Sequence, residues 1–101
     1  MKATLRFQQK VTLVHPTSLE VAIAEIKVWN VPCSVHYPES LKYSLFLVSS
    51  ESGQVILGFD NHKPKGPHLH YQGKELTYLF LGIDQLIDDF WKRTEKEGFK
   101  L

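Results

Sequence analysis

The stretch that decides the fold is Ile83-Asp84-Gln85-Leu86-Ile87-Asp88-Asp89-Phe90-Trp91, near the end of a chain of 101 residues. Its apolar residues recur three and four positions apart, which is the spacing of one stripe along an amphipathic helix. Gly82 before the stretch is suited to the N-cap, and Gly98 after it is suited to the helix end. A stripe that contains phenylalanine and tryptophan has a large apolar area to bury, so this helix must dock on a second layer.

Strand-like segments precede the helix and supply that second layer. Leu5, Phe7, Val11 and Leu13 lie at odd positions, and the even positions between residues 4 and 12 are polar. This period of two is typical of a strand with one solvent-exposed face. Residues 19–29 are rich in β-branched side chains, which favour strand over helix. Further strands are predicted at 41–47, 55–59 and 76–81, with a short extended piece at 68–71.

These patterns predict one domain spanning residues 1–101, of the α+β class. We expect an antiparallel, meander-like β-sheet of about five strands with one C-terminal helix packed on one face. The strands and the helical stripe require each other, because neither can bury its apolar side alone.

The overall composition limits the classes of function and the cellular compartments that we expect for this chain. A net charge of +1 gives no protein-wide basic field, so any site for a polyanion must be local. The longest apolar run, residues 45–48, is far shorter than the ~20 residues of a membrane span. The first residues carry no signal-peptide pattern, and a single cysteine fits a reducing compartment. We therefore expect a cytoplasmic protein with no membrane partner.

The chemistry of the chain is concentrated in Phe59-Asp60-Asn61-His62-Lys63-Pro64-Lys65-Gly66-Pro67-His68-Leu69-His70-Tyr71, which holds three of the five histidines. Its glycine and prolines predict a stiff loop between two strands. His68 and His70 are two residues apart, which places both imidazoles on one face of an extended chain. If the strands on either side pair as a hairpin, Asp60 lies beside both histidines.

Three interpretations of this cluster remain open on the residues alone. The first is acid–base cleavage of an RNA phosphodiester, with one imidazole as base, the other as acid, and nearby lysines stabilising the phosphate charge. The second is a metal site, because His-x-His and a carboxylate supply suitable nitrogen and oxygen ligands. The third is a rigid surface turn without chemistry, since glycine, proline and asparagine in a loop require no function.

Several blocks of the sequence resemble the TumE-type toxin family. They are Trp29-x-Val31-Pro32, Lys42-Tyr43-x-Leu45, Gly58-Phe59-Asp60-Asn61, Lys65-Gly66-x-His68-x-His70 and the segment 83–90, in that order over roughly residues 3–91. The resemblance implies a small toxin of a bacterial or archaeal toxin–antitoxin module, encoded beside a helix-turn-helix antitoxin. Two positions depart from the family pattern: Phe59 stands where a tyrosine is common, and Leu69 stands where a basic residue is expected.

We therefore expect a growth-inhibiting toxin that cleaves RNA without a metal or another cofactor. The expected catalytic residues are His68, His70 and Asp60; the expected substrate-binding residues are Asn61, His62, Lys63, Lys65, Gly66 and Lys74. The expected partners are a helix-turn-helix antitoxin and RNA, and a homo-oligomer is compatible with the sequence. One alternative is a non-enzymatic binding module that acts through the loop 60–71. Another is a metal-dependent hydrolase with Asp60, His68 and His70 as ligands.

Overall fold

The computed structural model describes residues 3–101, which form one open sheet and one helix. The strands are β1 (Thr4–Val14), β2 (Val21–Asn30), β3 (Leu41–Ser49), β4 (Val55–Asp60), β5 (His68–Tyr71) and β6 (Lys74–Thr77), followed by helix α1 (Ile83–Lys96). Each strand pairs antiparallel with the next one in the chain, so the sheet is a meander in the order β1 to β6. The predicted α+β class, the meander and the single C-terminal helix are confirmed.

One face of the sheet carries the apolar core. Alternate residues of β2 and β3 are buried, together with Leu57 and Phe59 of β4, and they pack beneath the stripe of α1 that contains Leu86 and Phe90. The ring of Phe90 meets the ring of Phe59 edge-on at 6.3 Å, which joins the helix to the middle of the sheet. Among residues 3–101, no helix has both the length and the apolar character needed to span a membrane.

The last strand differs in position from the prediction. It comprises Lys74–Thr77 rather than residues 76–81, and Leu79 and Leu81 beyond it are largely exposed. The reason is the turn before it, where Gln72 and Gly73 both have positive φ, 51° and 75°. Such a two-residue turn reverses the chain at once, so pairing starts immediately after it. The sheet has six strands rather than about five, because the short extended piece at 68–71 pairs with a strand on each side and is itself a strand.

The long first strand is confirmed, but its alternation is interrupted. The pairing of β1 with β2 shifts between Leu5 and Phe7, so Arg6 is an extra residue in the strand. A bulge of this kind transfers the side chains beyond it to the other face of the sheet. Leu5 pairs with Trp29 and Phe7 pairs with Val28, so these two apolar residues lie on opposite faces.

Candidate functional site

The ionisable side chains of Asp60, His68 and His70 lie together on the face of the sheet opposite to the helix. In the register of the sheet, Asp60 lies beside His68, and His70 lies beside Glu75. Directly paired residues share a face, and the helix-facing positions in these strands are the alternating ones, such as Phe59 and Leu69. The predicted hairpin between the strands at Asp60 and His68 is confirmed, and it brings the three expected catalytic side chains together.

One carboxylate joins the two imidazoles. Nε2 of His68 lies 2.8 Å from Oδ1 of Asp60, and Nε2 of His70 lies 3.2 Å from Oδ2 of the same side chain. The two rings stand edge-to-face with centroids 4.7 Å apart. Both oxygens of Asp60 are therefore engaged, each by a different histidine.

His68 is fixed at both ring nitrogens. Its Nδ1–H donates to the carbonyl oxygen of Gly66 at 2.7 Å, because a carbonyl can only accept. The Nε2 atom faces the Asp60 carboxylate, which also accepts, so both ring nitrogens of His68 lie against hydrogen-bond acceptors. Only 9% of the His68 side chain is exposed, against 29% for His70. His68 is thus the buried, positioned histidine, and His70 is the one that faces solvent.

Glu75 is a fourth member of the cluster that sequence reasoning did not identify. Its Oε1 lies 3.6 Å from Nε2 of His68 and 3.8 Å from Nδ1 of His70, and its Oε2 accepts a hydrogen bond of 2.6 Å from Nζ of Lys65. The hydrogen bond from Lys65 lowers the pKa of Glu75 below its ordinary value. The signal in the sequence was the Gln72-Gly73 turn, which sets the register that pairs Glu75 with His70.

A depression of about 270 Å³ lies over the cluster. Its lining is the cluster itself and the loop above it: Asp60, His62, Lys63, Pro64, Lys65, His68, His70 and Glu75. The expected substrate-binding residues His62, Lys63 and Lys65 therefore border the catalytic candidates. Lys74 instead lines a neighbouring depression of about 420 Å³, together with His70 and Glu75. Gly66 contributes its carbonyl oxygen to His68.

Asn61 lies apart from the depression and is built into the sheet. Its side chain is buried, its Oδ1 accepts from the backbone N–H of Tyr43 at 2.9 Å, and its Nδ2 donates to the carbonyl of Leu41 at 2.8 Å. The amide thus completes backbone hydrogen bonding at the start of β3, just beyond the end of β4. These contacts give Asn61 a structural reason to follow Asp60.

Phe46 and Gly58 support the floor of the site. Gly58 belongs to one of the family blocks, whereas Phe46 was not singled out in the sequence. The ring of Phe46 lies 5.6 Å from that of His70 at a tilt of 35°. It also covers Gly58, where an added Cβ would overlap the Phe46 ring. The glycine is therefore required for close approach, and the aromatic ring holds His70 from one side.

The two departures from the family pattern fall on the other side of the sheet. Leu69 is 4% exposed and pairs with Phe59 and Leu76, among residues that face the helix. Phe59 is buried against Tyr78 and Phe90. A basic side chain at position 69 would not lie over the cluster, so the leucine takes no cation from the site itself.

The cluster also has the donors of a metal site. One ligand atom from each of Asp60, His68 and His70 can be chosen so that all three lie within 4.8 Å of one another. In addition, a histidine that donates its other ring nitrogen to a backbone carbonyl, as His68 does, is typical of metal ligands. The arrangement can therefore either transfer protons or hold a divalent ion.

A comparison with models of protein families shows to which family the chain belongs. The family model described as Toxin TumE matches residues 3–97, nearly the whole chain. The chain belongs to the TumE toxin family. Membership indicates a toxin of a toxin–antitoxin module and implies an antitoxin as its partner. Neither the curated proteins nor the solved structures contain a match to this TumE-family chain.

Proposed function

We propose that this TumE-family toxin inhibits growth by cleaving RNA at the cluster of Asp60, His68 and His70, without a metal ion. The observation that carries the proposal is the sharing of one carboxylate between a buried and a solvent-facing imidazole. Two adjacent imidazoles can supply a base and an acid in one reaction, because imidazole can both accept and donate a proton.

His70 is the proposed base. Its Nε2 lies 3.2 Å from Oδ2 of Asp60, and in the neutral ring that donates Nε2–H to this carboxylate, Nδ1 carries no proton. The nearest carboxylate oxygen to Nδ1 is that of Glu75 at 3.8 Å, beyond hydrogen-bond distance. Nδ1 would accept the proton of a ribose 2′-OH as the 2′ oxygen attacks phosphorus.

His68 is the proposed acid. As an imidazolium it carries a proton on Nε2, and this proton would pass to the 5′ oxygen as the P–O5′ bond breaks. The products are a 2′,3′-cyclic phosphate and a free 5′-OH, so no water or other co-reactant is consumed in this step. Lys63 and Lys65 border the depression and would balance the negative charge that develops on the phosphate.

The test is RNA cleavage by the purified protein in the presence and absence of a strong chelator. We expect cleavage in both conditions, cyclic-phosphate ends, and a loss of about 100-fold or more in the His70→Gln variant. Loss of cleavage upon chelation would contradict the metal-free mechanism.

A metal-dependent hydrolase is the second candidate, favoured by the convergence of the three ligand atoms. In that case the chelator abolishes cleavage, and elemental analysis finds a bound ion in the parent protein that the His68→Gln variant has lost. A third outcome is a toxic protein that binds its target through the loop 60–71 and leaves RNA intact, which would identify a binding module.

The proposed antitoxin covers the same loop. Lys63 is largely exposed on it beside the depression, and an acidic segment of a helix-turn-helix protein would find a complementary charge there. Co-expression of the two proteins should restore growth and yield a complex in which RNA cleavage is blocked. A complex that still cleaves RNA would contradict this mode of neutralisation.

A further inference from the structure

The outer edge of β1 offers unpaired backbone groups. In an antiparallel strand, alternate residues turn both N–H and C=O to the same side. Val14 turns outward, because its N–H donates to the carbonyl of Lys100 at 2.8 Å and its own carbonyl accepts from Lys100 N–H at 3.0 Å. Residues 8, 10 and 12 have the same parity, yet within residues 3–101 only Lys100 bridges to this edge. An open edge of this length is a template for another strand.

An apolar groove runs beside that edge, on the helix side of the sheet. It has a volume of about 600 Å³ and is lined in part by Val11, Leu13, Trp91 and Phe99. Phe7 lies on the same face of β1, four residues before Val11, and 41% of it is exposed. The edge therefore presents an exposed aromatic ring and, a short distance along the same strand, an apolar groove.

A two-fold axis through Gln9 would place the ring of one copy over the groove of the other. Antiparallel pairing about this residue sets Phe7 opposite Val11 of the second copy, and Lys10 opposite Gln8 of the second copy. Because residues 8 and 10 both turn outward, this register also aligns backbone donors with acceptors.

The charges of β1 select this register over its neighbours. The strand carries Arg6 and Lys10 and no acidic residue. An axis through Gln8 would oppose Lys10 to Arg6, and an axis through Lys10 would oppose two lysines, both of which are destabilising. An axis through Phe7 would run the pairing through the bulge at Arg6 in both copies. Axes through Val11 or Thr12 oppose no two cations, but they extend the pairing to Val14, whose outward groups already bond to Lys100. The register about Gln9 avoids directly opposed cations, a bulge at its centre and the already bonded Val14.

We propose that the protein forms a symmetric homodimer by antiparallel pairing of residues 6–12 of β1 with the same residues of a second copy, with Phe7 packed into the groove of its partner. The sheet then continues across both copies. Because the axis is perpendicular to the sheet, both clusters of Asp60, His68 and His70 lie on the same side of the dimer. The surface is distinct from the proposed catalytic site, so the two proposals can fail separately.

The first test changes the charge at Gln8, which is exposed and faces Lys10 of the second copy in this register. Sedimentation velocity across a concentration series should show a dimer for the parent. Gln8→Lys should weaken dimerisation by roughly tenfold, because it creates two symmetric like-charge pairs with Lys10. Gln54→Lys in the exposed turn before β4 is the matched control and should leave the dimer unchanged. A parent protein that stays monomeric at high micromolar concentration overturns the proposal.

The second test fixes the register by cross-linking. On the axis, the two copies of Gln9 form a non-hydrogen-bonded pair with Cα atoms about 4.5 Å apart, within the range of a disulfide. In a Cys33→Ser background, Gln9→Cys should cross-link under mild oxidation, whereas Ser52→Cys, in the exposed turn before β4, should not. Melting curves of the reduced variants show that both are folded. Equal cross-linking of the two variants, or none at position 9, overturns the register. Slowed backbone hydrogen exchange in β1 that appears only when the antitoxin is bound would assign the edge to that partner instead of a second copy.

Discussion

Replacing Asn61 with alanine should destabilise the protein rather than weaken substrate binding. The amide of Asn61 satisfies the N–H of Tyr43 and the carbonyl of Leu41, and its loss leaves both backbone groups without these partners. An unsatisfied buried group costs about 1–3 kcal/mol. Tyr43 is 1% exposed, so its N–H incurs that cost in full, while Leu41 is half-buried and its carbonyl retains some access to water. We expect a decrease of about 2–4 kcal/mol in the free energy of unfolding.

Urea denaturation followed by tryptophan fluorescence measures this loss. The matched control is His62→Ala, the adjacent exposed residue, which should change the free energy of unfolding by less than about 0.5 kcal/mol. An Asn61→Ala protein with the stability of the parent and a large loss of RNA cleavage would refute the structural role and restore Asn61 to the substrate site.

Three further substitutions test the core, the floor of the site and its electrostatics. Phe90→Ala removes a fully buried ring between helix and sheet and should cost about 3–5 kcal/mol in urea denaturation; a loss below 1 kcal/mol would contradict the helix docking. Gly58→Ala should displace the Phe46 ring and reduce RNA cleavage, and unaltered activity and melting temperature would show that the ring is free to move. Lys65→Met should raise the pKa of Glu75 toward its ordinary value, as followed by NMR titration of the carboxyl carbon. Since the pKa of Glu75 is lowered in the folded protein, its ionisation stabilises the fold above the ordinary glutamate pKa, and this stabilisation is lost as pH falls through the lowered value. The free energy of unfolding of Lys65→Met should therefore lack this pH-dependent contribution. An unchanged titration of Glu75 in the variant would contradict its pairing with Lys65.

The sequence patterns predicted the layers of the fold and the central cluster because these depend on local periodicity. Alternation within the strands and the stripe of α1 identified the elements, and the two-residue spacing of His68 and His70 placed both rings on one face. The hairpin that adds Asp60 followed from the turn-forming residues of the loop. These features depend on residues close together in the sequence, and the structure confirms them.

The remaining features depend on register and packing, which local patterns do not specify. Glu75 joins the cluster because the tight turn at residues 72–73 starts β6 two residues before its predicted position. The role of Asn61 could not be predicted, because it depends on the start of β3 lying beside the end of β4. The bulge at Arg6 moves Leu5 to the face opposite Phe7, although simple alternation assigns both to one face.

Growth inhibition by the His70→Gln variant is the most direct test of the claim that this toxin acts through the cluster. His70 is suited to the test because its side chain is partly exposed and its removal leaves the buried His68–Asp60 contact in place. The matched control is His36→Gln, an exposed histidine in the loop between β2 and β3. At equal soluble expression, judged by immunoblot, cells producing the parent or the His36→Gln protein should stop growing, and cells producing His70→Gln should grow. Full toxicity of His70→Gln, or loss of toxicity only in His36→Gln, would contradict the account.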